Sequence, residues 1–153
     1  MIELNNLTKE ALPQTFLKRV AQSVLRQEKK SGAGISVVFT GKKRIAELNR
    51  IYRKKDKVAN VLSFSFDAAQ DRPFDDAPAF AKASAGRQSR PMSEFGLGEV
   101  VLCPAEIRKD ARKYGIPYRK AMAWMLIHGI LHLLGYTHSE MTNREKQYLT
   151  RFS

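Results

Sequence analysis

All three histidines of this 153-residue chain fall within the eleven residues "HGILHLLGYTH", at His128, His132 and His138. Neutral imidazoles are good ligands for a divalent ion. Histidines four apart on a helix project from one face, about 40° apart in rotation and roughly 6 Å apart along the axis. Gly135, seven positions after the first histidine, is the residue type that turns a chain out of a helix in the left-handed conformation, which would fold His138 back toward the other two. Three protein ligands leave a position for water, the pattern of catalytic rather than structural zinc. A structural site would need a fourth ligand, and Cys103 is the single thiol. Three histidines also suit nickel, copper and cobalt, so the expectation is one divalent metal ion, with zinc preferred. Taken singly, each histidine reads as an ordinary core or surface residue. Because helix, glycine turn and spacing agree, the three together read better as residues that share a task, with three ordinary histidines as the lesser alternative.

Such a cradle needs a firm helix beneath it. Residues 121–134 are apolar nearly all round and, being shorter than the roughly twenty residues that span a bilayer, read as a buried central helix opened by Pro117. A helix over 104–114 precedes it and ends at Gly115, and a last helix over 140–151 follows with Ser139 as its cap. Upstream, the pattern predicts a strand over 1–5 and an amphipathic helix after Pro13 carrying Leu17, Val20, Ala21, Val24 and Leu25. A strand over 35–39 comes next, then a short helix with Ile45, Leu48 and Tyr52 on one side, and strands over 61–66 and 97–102. This mixed order indicates an α+β fold in one domain, 1–153, long enough to fold without metal staples, so that a metal would be functional. Residues 67–95, rich in Ala, Asp, Ser, Arg and Pro and without apolar period, read as a mobile surface insert, with a functional lid as the alternative.

A formal charge of +12, from 27 Lys and Arg against 15 Asp and Glu, calls for a polyanionic partner: nucleic acid first, an anionic membrane surface second, mere solubility as the bland alternative. The lone cysteine excludes an intramolecular disulfide and suits a reducing compartment. The opening "MIELNNLTKE" lacks a targeting pattern, so a cytoplasmic protein is expected. Basic residues crowd around Arg53, namely Arg50, Lys54, Lys55 and Lys57, with Lys42, Lys43 and Arg44 upstream and the aromatic Tyr52 among them. One by one they read as a solvated face; as a group beside a metal cradle they suit single-stranded RNA, whose phosphates attract charge while bases stack. The runs 108–113 and 119–120 are weaker signals, being the outer sides of helices. Cys103, Met122, Trp124 and Met125 sit at core positions without assigned chemistry, and Tyr136, able to stack on a base, reads better as local packing. Glu99 is a conceivable general base, although an exposed strand-end charge is the commoner role.

The offsets zero, four, seven and ten for His, His, Gly and His match the extended zinc-protease signature, in which glutamate follows the first histidine as general base. Here that position is Gly129, which argues for a zincin-like cradle without peptidase chemistry. "HGILHLLGYTH" closely resembles the His-Gly-x-x-His-Leu-x-Gly-Tyr-Asp-His signature of the YbeY family. "LNRIYRKKDKVANVLSFSF" (48–66) and "LGEVVLCP" (97–104) resemble two further segments of that family in the same order. The resemblance covers essentially the whole chain except the insert. It implies a small mixed sheet packed by helices, a metal held by His128, His132 and His138, and an essential arginine at Arg53. It also implies a single-strand-specific, metal-dependent endoribonuclease acting on the 3′ end of small-subunit rRNA and in ribosome quality control. Implied partners are rRNA, the small ribosomal subunit, a ribosomal protein and an assembly GTPase, with no membrane.

Two departures carry expectations. Thr137 stands where the family usually has Asp, implying that a carboxylate to orient a ligand histidine is absent and metal affinity reduced. Val58-Ala59 replaces the family's Pro-Thr, implying a looser loop behind Arg53. The rival readings are a ribosome-assembly factor that binds RNA with a structural metal, and a metallopeptidase, which Gly129 and the basic charge disfavour.

Overall fold

A computed structural model of the protein describes residues 2–65 and 96–152; the segment expected as an insert, 67–95, lies outside the described residues. The elements run β1 (Ile2–Asn6), α1 (Gln14–Gln27), β2 (Ile35–Phe39), α2 (Lys42–Arg53), β3 (Val61–Ser65), β4 (Gly98–Leu102), α3 (Pro104–Tyr114), α4 (Tyr118–Leu133) and α5 (His138–Thr150). The sheet has the order β1-β2-β4-β3, with β1, β2 and β4 parallel and the edge strand β3 antiparallel to β4. It is thus the small mixed sheet of an α+β fold.

Strand alternation divides the apolar residues between two layers. Val37 and Phe39 of β2 and Val100 and Leu102 of β4 point into the larger core, built with α1 and α4. Val38, Leu62 and Val101 point the other way, against Ile45 and Leu48 of α2. Because helices cover both faces, β2 and β4 are buried at every position and read as near-continuous apolar runs rather than alternating ones. Among the described residues no helix is long and apolar enough to cross a membrane.

α4 is the central helix, as its all-round apolarity requires. It approaches the sheet so closely that a Cβ on Gly129 would stand 2.6 Å from Val100 Cγ1 and 3.3 Å from Ser63 Oγ. Glycine there is a packing requirement, and a glutamate at that position has no room between helix and sheet. The Ser63 hydroxyl uses the close approach to donate to the Gly129 carbonyl at 3.0 Å, fixing α4 against the edge strand.

Candidate metal centre

α4 ends in a turn that the sequence prescribes. Gly135, at φ +89°, donates its N–H to the His132 carbonyl (3.0 Å) and Tyr136 donates to that of Leu131 (3.2 Å), the paired bonds of a glycine-terminated helix. The chain re-enters a helix at once. α5 starts at His138, not 140, and its N-cap is Thr137 rather than Ser139: the Thr137 hydroxyl accepts from the Glu140 N–H at 3.4 Å. Threonine therefore keeps the capping function that an aspartate would perform at the same place.

The tight connection brings the three histidines together. One ligand atom of each of His128, His132 and His138 lies within 4.8 Å of the others, and the Nε2 atoms of His128 and His132 are 3.1 Å apart. His128 Nδ1 is 2.5 Å from Glu145 Oε1, so the carboxylate orients the ring and directs Nε2 toward the second histidine. Burial, with the charges of His128, His138 and Arg53, holds His132 below the ordinary imidazole value, against a smaller opposing influence of Glu145. Two ring nitrogens facing each other at this distance form a donor set suited to one shared cation. This chemistry fits a divalent metal ion, and exposed His138 has the freedom to complete the set.

Glu145 corrects one expectation. A carboxylate does orient a ligand histidine; it comes from α5, not from position 137. Burial raises its pKa, but hydrogen bonds from His128 and Trp124 and the His128 charge outweigh that and leave it lowered. The indole of Trp124 donates to Glu145 Oε2 at 3.2 Å, so this residue, read from the sequence as plain core, is half-buried and braces the carboxylate. Spacing held the missed signal: Glu145 is seven residues after His138, two turns along the same helix face, and Trp124 is four before His128.

α5 is itself held by a remote carboxylate. Glu28, the residue after α1, has a side chain only 6% exposed. It accepts from the Tyr136 hydroxyl (2.6 Å), the Tyr148 hydroxyl (2.6 Å) and Arg144 Nη1 (2.8 Å). Burial raises its pKa, but these hydrogen bonds and the Arg144 charge together bring it below the usual carboxylate value. Tyr136 is therefore engaged in local packing, with the Arg144 guanidinium 4.5 Å from its ring centre.

Arg53 reaches the same region from the other face of the sheet. Its neighbour Tyr52 packs edge-to-face on Phe64 of β3, ring centres 5.5 Å apart, while Gly129 of α4 abuts Ser63 of the same strand. Across this edge the Arg53 charge is felt at His132. The following loop is hydrogen-bonded back to α2. Buried Asn49 donates to the Lys57 carbonyl at 2.9 Å, its own carbonyl accepts from Lys54 and Lys55, and Lys54 takes the left-handed conformation that ends α2. Arg50, Arg53, Lys54, Lys55 and Lys57 all have exposed side chains. Tyr52 is half-buried against Phe64, which engages the ring expected to stack on bases.

Other candidates drop out of the site. Glu99 is 2% exposed, neither a surface charge nor a base beside the histidines. It lies on the α2 side of the sheet with Val101 and accepts from the Ser36 hydroxyl at 3.2 Å. Cys103 is fully buried on that side, and burial pushes its thiol pKa up. In the remaining basic runs, Arg108 forms a two-pronged pair with Glu10 (2.7 and 3.0 Å), and the Arg119 guanidinium lies 3.9 Å over the Phe16 ring, so both serve the fold.

The profile of the family described as Endoribonuclease YbeY matches residues 3–153. A protein of Persephonella marina named Endoribonuclease YbeY is 34% identical over 140 residues, 91% of this chain and 78% of that one. Its namesake from a Sulfurovum species is 31% identical over 156 residues, 99% and 90% of the two chains. A Thermotoga maritima protein solved in solution is similar in fold, with a TM-score of 0.58 and 24% identity over 97% of this chain and 87% of that one.

Proposed function

Because the chain belongs to the Endoribonuclease YbeY family, we propose that it is a metal-dependent endoribonuclease of single-stranded RNA. In this reading it works in the cytoplasm on the 3′ end of small-subunit rRNA and in ribosome quality control, in contact with the small subunit, a ribosomal protein and an assembly GTPase. The observation that carries the reading is the convergence of three imidazoles, one of them oriented by Glu145, within electrostatic reach of Arg53.

The three histidines would hold the ion, and Glu145 orients the His128 ring. A bound divalent ion, zinc being the best match to three imidazoles, supplies positive charge that polarises a phosphate oxygen or acidifies a water. Arg53 offers a planar fork to a phosphate. Arg50, Lys54, Lys55 and Lys57 extend that field along the exposed loop and would track the backbone of a strand. Phosphodiester cleavage builds negative charge on the phosphate oxygens, so a site of fixed positive charge suits it. With Gly129 packed on Val100, the glutamate base of a zinc peptidase has no counterpart at its place in the motif.

The test follows a labelled single-stranded RNA carrying the small-subunit 3′ end, with intact protein, with chelator, and with His128→Ala purified identically. Cleavage abolished by both treatments is the expected result. Cleavage unchanged in the variant removes the chemistry from the histidines, and no cleavage by metal-loaded protein turns the reading to an RNA-binding assembly factor.

A further inference from the structure

Beside the metal centre lies a cavity of about 160 Å³ whose lining includes Asn60, Asp110, Tyr114, Ile116, Trp124 and Met125. Two bonds tie it to the site. Trp124, one of its walls, braces Glu145, which in turn orients His128. Asn60, another wall, closes the loop that starts at Arg53, where its carbonyl accepts from the Cys103 N–H at 2.9 Å. The cavity thus shares Trp124 with the support of His128 and Asn60 with the loop that follows Arg53.

Size and chemistry narrow the occupant. Drug-sized ligands need roughly 300 Å³ or more, whereas a cavity of about 150 Å³ takes one benzene-sized ring. The space thus suits a pyrimidine better than a purine. Its walls are largely apolar and aromatic, with one polar pair: Asn60 Nδ2 donates to Asp110 Oδ2 at 2.9 Å. Asp110 Oδ1 has no partner among the described residues. A carboxylate oxygen accepts from the N4 amino group of cytosine and repels the O4 carbonyl that uracil presents in its place. One cation stands at the rim: the Lys113 ammonium lies 5.6 Å from the ring of Tyr114, itself 60% exposed. Cationic rim, aromatic wall and apolar interior complement an anionic strand with flat bases. A protein partner's aromatic side chain would leave the rim without counter-charge.

We propose that the pocket between α3, the first half of α4 and the loop after Arg53 binds one unpaired cytosine of the RNA, giving the enzyme a preference for strands that carry cytidine at that point. The proposal rests on the endoribonuclease reading for its occupant, and its test does not need cleavage. Trp124 is the only tryptophan of the chain, so its fluorescence reports occupancy. Metal-loaded protein is titrated with cytidine 5′-monophosphate and uridine 5′-monophosphate, which contain no phosphodiester to cut. Cytidine monophosphate should bind about tenfold more tightly. Asp110→Asn keeps an acceptor for Asn60 and turns the remaining group into a donor, so it should abolish or invert the preference. Tyr114→Ala, at an exposed ring, should weaken both nucleotides with the melting temperature unchanged. Cleavage sites mapped on RNAs differing by one cytidine-to-uridine exchange should shift in parallel. Equal binding of the two nucleotides, or a preference that survives in Asp110→Asn, overturns the pocket even where RNA is cleaved. A cytidine preference in protein that cuts no RNA upholds the pocket and rejects the nuclease reading.

Discussion

The segments 128–145 and 50–60 approach the edge strand β3 from opposite faces of the sheet, and they differ in how they are held. In the first, His128 is fixed by Glu145, Glu145 by Trp124, and the helix beneath His138 by three donors converging on Glu28. In the second, the backbone is pinned through Asn49, yet Arg50, Arg53, Lys54, Lys55 and Lys57 extend into solvent. A metal ion rewards ligands placed to within tenths of an ångström, because coordination bonds are short and directional. A polyanion rewards the sum of many charges over a Debye length of roughly 8–10 Å, and long side chains can adjust to it. The histidine segment is therefore the stiff half of this pair and the basic segment the compliant half, geometries suited to a metal ion and to a polyanion respectively.

The sharpest break of this contrast is His132→Ala, which takes a ligand from the stiff half. Metal bound per chain should fall toward zero and RNA cleavage by more than about 100-fold, beyond the range of outer supports, as read by elemental analysis beside a cleavage assay. Next comes Arg53→Ala, the most exacting member of the compliant half. A loss of about 100- to 1,000-fold in kcat/KM with unchanged metal content is expected, and Arg53→Lys should recover only part of it because a point charge lacks the guanidinium fork. Glu145→Gln should weaken metal binding by roughly 10- to 100-fold in competition with a chromophoric chelator, while RNA affinity of the loaded protein stays within a factor of about two. Single changes Lys54→Ala, Lys55→Ala or Lys57→Ala should each cost a few-fold in RNA affinity and flatten the dependence of log K on log salt by about 0.7 for each phosphate no longer neutralised. An all-or-none loss from one lysine would show that half to be stiff as well.

The smallest effect concerns acid. The Glu28 carboxyl is held below its ordinary value in the folded chain, so its contribution to stability is present above the unfolded value and disappears as the pH falls through the folded one. Melting temperatures of the wild type and Glu28→Gln should therefore differ most near neutrality and converge in that acidic window. A constant offset at every pH would mean that the ionised carboxylate does not hold α5.

Much of this was legible without coordinates. The glycine turn at 135, the helix under His128 and His132 and the strands over 35–39 and 97–102 follow from local rules, because each is a matter of period and backbone freedom within a dozen residues. Family resemblance pointed to Arg53, but its position across β3 from His132 depends on α2 and α4 lying on opposite faces. The misjudged residues were those whose partners are distant in sequence. Glu99 read as a strand-end charge because nothing nearby shows Ser36 beside it, and Trp124 read as core because Glu145 lies 21 residues away. Thr137 suggested a missing carboxylate for a similar reason: a motif shows which position departs from a pattern, not which side chain from another turn takes over the bond.

By itself, then, the sequence determined the donor set, the helix-turn geometry that gathers it, the absence of a peptidase carboxylate and the excess of positive charge, since residue type and short-range spacing carry these. The tertiary structure alone decided that Gly129 is compelled by Val100, that Glu145 and Glu28 brace the histidine-bearing segment and that the Arg53 charge is felt at His132 across the edge strand. Those are contacts between segments whose separation along the chain does not reveal their distance in space, and only packing the two helical layers on one twisted sheet brings them together.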